Sequence, residues 1–276
     1  MIIYDPYPTW WTFISQFFAG RALLRQIKNA KNLEAFEEAV GLAREKQIPE
    51  EKIEKSISKG RDSALKKLAS SSTVEEYQKS LELSTIFQSS EKQIEEAKQK
   101  AIDKSLEKIQ KAQTEDQYSA AKSFVSAMGV SEEKLHSAED ACIKNVLFKI
   151  REVEEVSTLN DLLNLSKVLS VDEKRLSDAI LSCKENAFER FKKAEYATDV
   201  EKNANIANLC GATYEEIQNA KHDAHFDMII RIQQSSSVAE AERLAMVAGA
   251  LGMEQIVVNS LVEAVRRRIA DASQSS

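Results

Sequence analysis

The chain has 276 residues, a net charge of −6, 43% apolar and 30% charged residues. This balance suits a soluble helical protein and argues against general nucleic-acid binding, which needs a basic stripe to meet phosphates. Three cysteines make no disulfide framework, no apolar run is long enough to span a bilayer, and only three prolines and seven glycines punctuate the chain, so helix is expected almost throughout.

Met1 to Pro8 reads as an extended segment, with Asp5-Pro6-Tyr7-Pro8 resisting helix. Thr9 can cap the helix that follows. Trp10, Trp11, Phe13, Phe17 and Phe18 make residues 9–30 an aromatic helix, which can cap the core or dock a partner. With Tyr4 and Tyr7, these five are the candidate partner-binding residues. A membrane-peripheral role for the same aromatics is the alternative, weakened because the basic residues nearby are only Arg21, Arg25 and Lys28.

From there a period of 41 residues governs the chain. Ile53, Ile94, Leu135, Leu176, Ile217 and Val258 form one column. Gly60, Ala101, Cys142, Cys183, Ala224 and Val265 form another, and Ile27, Leu68, Ile109, Ile150, Phe191 and Ile232 a third. With the mostly small column Ser56, Ala97, Ala138, Ala179, Ala220 and Leu261 between the first two, offsets of three, four and seven mark one face of a long helix. A shorter helix carries Phe36, Tyr77, Tyr118, Leu159, Val200 and Ala241, then Leu42, Leu83, Phe124, Leu165, Ile206 and Val247. The last column is apolar in every copy and is expected at the centre of the core.

Boundaries follow the same register. Ser90, Ser131, Asp172 and Thr213 are suitable N-caps for the long helices, and Asn32, Thr73, Thr114 and Ser237 for the short ones. Ser157 and Thr198 are expected to cap the two remaining short helices from slightly displaced positions. Gly129, Gly211 and Gly252 share the column that closes the short helix.

The expected fold is therefore all-α: an α-solenoid of two-helix repeats, about 13 helices, one domain over residues 9–272, with residues 273–276 frayed. The layout resembles the two-helix solenoids of the HEAT and tetratricopeptide kind. Its unit is longer than a tetratricopeptide repeat and lacks the Trp-Leu-Gly-Tyr signature of that family, so no functional residue carries over.

Candidates for chemistry are few. His222 and His225, with Asp223 and Asp227, sit on one long helix, and the histidines three apart could share a metal, but a third and fourth ligand are not evident and HExxH is absent. Cys142 and Cys183 share a column with alanines and read as small core filler, which suits a reducing compartment such as the cytoplasm. Arg266-Arg267-Arg268 is expected to decorate the outer face of the last helix. No catalytic residue, cofactor or metal is expected. The functional expectation is a non-enzymatic scaffold or adaptor that binds protein partners as a subunit of a larger assembly.

Overall fold

The computed structural model describes residues 9–274, and the side chains of residues 18–273. Every regular element described is an α-helix. They are α1 (Thr9–Lys28), α2 (Leu33–Glu45), α3 (Glu50–Leu68), α4 (Val74–Ile86), α5 (Glu91–Lys111), α6 (Glu115–Ala127) and α7 (Glu132–Glu152). There follow α8 (Val156–Val168), α9 (Glu173–Lys193), α10 (Ala197–Leu209), α11 (Tyr214–Asp223), α12 (His225–Gln234), α13 (Val238–Ala250) and α14 (Gln255–Gln274). Only Ala224 separates α11 from α12, so the two occupy the place of one long helix. The short helices α2, α4, α6, α8, α10 and α13 are each 13 residues and begin at 33, 74, 115, 156, 197 and 238. The long ones begin at 50, 91, 132, 173, 214 and 255, keeping the same spacing.

The residues form two compact units. One runs to Ile109 and takes in Ser119–Ala138; the other comprises Gln110–Tyr118 and everything from Glu139 on. In the first, α1 packs on α2 and on α3, and α3 on α4. In the second, the long helices α9, α11 with α12, and α14 pack in chain order, and so do the short helices α8, α10 and α13. Within each unit a hairpin thus covers a face of the next, which is how a repeat too small to bury its own apolar side finds a core.

Each turn after a short helix has one geometry. Gln47, Gln88, Gly129, Ser170, Gly211 and Gly252 all have positive φ. The N–H of each bonds the carbonyl three residues back, and the next N–H reaches five back, as in Ser170 to Lys167 and Val171 to Ser166. This closure satisfies carbonyls that the helix end would orphan. Three copies adopt it without glycine, which is why only three were visible as a column.

Caps at the other ends are reciprocal. The Glu76 N–H bonds Thr73 Oγ1, while the Glu76 carboxylate accepts from the Ser72 N–H at 2.9 Å. Ser237 with Glu240, Thr213 with Glu216 and Ser90 with Gln93 repeat the exchange. The displaced caps do not form: Ser157 lies inside α8 and Thr198 inside α10. Glu155 and Tyr196 hold the N-cap positions, and Asp199 accepts from the N–H groups of Glu195 and Tyr196 instead.

The core centre is not where the periodicity places it. Phe124, Leu165, Ile206 and Val247 are buried, but Leu83 is half-buried and Leu42 is 38% exposed. Phe124 meets Tyr77 of the preceding short helix, ring centroids 6.2 Å apart, so this column faces backwards onto the hairpin before it. No short helix precedes α2 among the described residues. Several other columns are buried in all six copies, among them those beginning at Phe36 and Gly60 and two more. One is Ile27, Leu68, Ile109, Ile150, Phe191 and Ile232 on the long helices. The other is Ala43, Ser84, Val125, Ser166, Ala207 and Ala248 on the short ones, none larger than valine, which lets the helix axes approach closely.

At the C-terminus α14 remains helical to Gln274, into the 273–276 stretch expected to fray. Ser273 Oγ bonds the Ile269 carbonyl at 2.8 Å.

Candidate interaction surface

Of the residues expected to bind a partner, Tyr4 and Tyr7 lie outside the described residues. Trp10, Trp11, Phe13 and Phe17 lie on the backbone of α1, but their side chains are outside the described set. Phe18 is described and is 63% exposed.

Beside Phe18 on the same helix begins a groove of about 890 Å³ between α1 and α2, with Ala22, Ala39 and Leu42 as its apolar floor and Arg21, Arg25 and Glu38 among its polar lining. A second groove of about 910 Å³ runs along α2 toward α3 and α4, over Phe36, Val40, Ile57 and Ile86. Arg44 at its edge bonds Glu50 at 2.7 Å, and that bond holds the Glu50 carboxyl below the ordinary glutamate range. Both grooves belong to the first unit.

The other candidates are tied into the fold. His225 Nε2 is 3.1 Å from the Leu251 carbonyl, and its ring meets His222 edge-on at 4.8 Å between centroids. No group of three His, Cys, Asp or Glu able to hold a metal occurs among the described residues. The three-arginine cluster is not a free outer decoration. Arg268 donates to the carbonyls of Gln233 and Ser235, and Arg266 bonds Glu242 at 2.6 Å. Arg267 and Arg266 both lie near Glu263, at 3.6 and 3.7 Å.

Arg268 continues a device of the second unit that the sequence reading missed. Arg190 donates to the carbonyls of Val153 and Glu152, and Arg231, one period later, to those of Ala194 and Lys192. Each long helix caps the C-terminal carbonyls of the one before, where a cation also meets the negative end of the dipole. The signal was present as arginines near one 41-residue spacing, but helical charge columns are common on solvated faces. Glu195 gathers Arg231 and Arg243, and Arg243 lies 5.2 Å from the Tyr196 ring centre.

Cys142, Cys183 and Cys210 are free and buried, as small core residues. Burial pushes the Cys142 thiol up to about 11. Cys210 is pushed up by its hydrogen bond to Cys183 and by burial, so its proton stays on sulfur. The same hydrogen bond lowers the Cys183 thiol, which is fully buried among core side chains. No helix among the described residues is long and apolar enough to cross a membrane. No protein-family model, curated protein or solved structure matches this chain.

Proposed function

We propose that this chain is a non-enzymatic helical-repeat scaffold, a solenoid that joins a larger assembly through its N-terminal end. The carrying observation is Leu42. Phe124, Leu165, Ile206 and Val247 of its column are buried, Phe124 against the short helix before it, while Leu42 is 38% exposed and lines an open apolar groove. The occupant that fits is an amphipathic helix of a protein partner, lying where a preceding short helix would lie. Such a helix would reuse the contact that Tyr77 makes with Phe124. Trp10, Trp11, Phe13, Phe17 and Phe18 stand next to this groove in sequence and supply the aromatic anchors typical of protein interfaces.

A pull-down compares the full chain, a chain lacking residues 1–20, and Leu42→Asp. The same partner should be lost from both variants, with the helical circular dichroism of Leu42→Asp unchanged. Retention of that partner by Leu42→Asp overturns the reading. Liposome flotation decides the membrane alternative: flotation of the full chain that disappears on removing residues 1–20 would replace the scaffold reading with a membrane-peripheral one.

A further inference from the structure

Residues 144–151 of α7 and 175–178 of α9, in the second unit, form an outer face that carries an exposed aromatic side chain. Phe148 is 63% exposed. Its equivalents one period away on either side are Glu107 and Glu189, with Lys66 a period earlier and Ile230 a period later. One turn before it stands Lys144, where the neighbouring repeats have Asp62, Asp103 and Glu185, and later ones Phe226 and Arg267. Relative to the repeats on either side, an acidic residue is replaced by an aromatic one and another by a basic one, four residues apart on one helix face.

These two residues line a cleft of about 230 Å³ with Leu147, Arg151, Arg175 and Asp178. Three cations face one anion, on a chain whose net charge is −6. The side chains of Lys144, Arg151 and Arg175 make no hydrogen bond or ion pair with the described residues. Half-buried cations of this unit are engaged, as Lys184 with Glu216, Lys202 with Glu155 and Arg243 with Glu195, whereas Lys144 and Arg175 are exposed and converge with Arg151 on one cleft.

We infer that this face binds an acidic peptide segment carrying one apolar side chain. The apolar side chain packs on Phe148 in the cleft. Carboxylates on either side meet Lys144 and the two guanidiniums, whose planar fork suits bidentate pairing with a carboxylate. A nucleic acid fits less well: it would bring a continuous row of phosphates to a small patch that includes Asp178, on an acidic chain. The inference uses none of the residues of the N-terminal groove, so either proposal can fail while the other stands.

The test is fluorescence anisotropy on the full chain, with a fluorescein-labelled peptide of glutamates and serines around a central leucine. Saturable binding is expected, weakening as salt rises. Phe148→Ser, Arg175→Glu and Lys144→Asp should each weaken it about tenfold or more. All three residues lie on an outer face, and Lys144→Asp restores the charge found in the neighbouring repeats, so thermal melts should match the parent. No saturable binding to the parent chain, or binding that the three folded variants leave unchanged, overturns the inference. So does tighter binding of single-stranded DNA of equal charge or of anionic vesicles.

Discussion

Single side chains compensate one another across the repeat. Phe87 lies over Gly60, and a methyl added to Gly60 would overlap the Phe87 ring. One period later the pair is Ala101 with Met128, in one apolar cluster. Two periods further it is Cys183 with Cys210, whose thiols hydrogen-bond. The smaller the long-helix residue, the larger its partner at the end of the short helix. Gly60→Ala gains helix propensity of roughly 0.5–1 kcal/mol but overpacks at a cost of about 1–3 kcal/mol. It should lower the melting temperature, and Phe87→Met in the same chain should restore much of the loss. Additive effects of the two substitutions would show that they do not share the space.

Asn203 is a second exception among single residues. It is buried, its Nδ2 bonds the Asp199 carbonyl at 2.8 Å, and its Oδ1 has no partner. The equivalent residues one period away are Leu162 and Leu244, both buried. An orphaned buried acceptor costs about 1–3 kcal/mol. Asn203→Leu should therefore raise the melting temperature, by about 2–4 °C for each kcal/mol gained. A fall would mean that the site lacks room for the leucine side chain.

Among elements, the helix ends carry most of the local specification. Hydrogen bonds from the Ser72, Thr213 and Ser236 N–H groups hold the carboxyls of Glu76, Glu216 and Glu240 below the ordinary glutamate range. Lys184 adds to the effect on Glu216. Because each group is more acidic folded than unfolded, its stabilisation is present above the unfolded value of about 4.3 and is lost as pH falls through the folded one. Melting temperature should drop between about pH 5 and pH 3. The triple variant Glu76→Gln, Glu216→Gln, Glu240→Gln keeps an acceptor but loses the titration, so its drop should be shallower. Equal slopes would assign the acid sensitivity to other carboxylates.

Helix ends also show how far the sequence could be read. Helix lengths, starts and the 41-residue spacing were legible, because caps and apolar columns are local and repeated. The Ser/Thr-x-x-Glu/Gln exchanges at Thr73, Thr213 and Ser237 were there to be seen beside the caps. Left-handed closure at Gln47, Gln88 and Ser170 was not, since neither residue type advertises positive φ. Nor was the carbonyl capping by Arg190, Arg231 and Arg268, which depends on which helix lies beside which.

Across the whole molecule, equivalent residues are not equally placed. Leu165 is buried and Leu42 is not, though both belong to one column. Leu165→Asp buries an unpaired charge and should unfold the second unit or leave it molten. Leu42→Asp should leave the thermal melt nearly unchanged. Circular dichroism melts of the two variants measure the difference, and equal losses would contradict the backward-facing assignment of this column.

Residue order was enough to establish the all-α class, the period, and the placing of the long and short helices, because each follows from side chains within one or two turns of one another. Packing settled which apolar column lies deepest, which cations are spent on neighbouring helix ends, and which are left facing outward beside Phe148. Burial and pairing belong to contacts between hairpins. A column repeated every 41 positions keeps similar chemistry in most copies, but the surroundings of each copy depend on the neighbour that covers it.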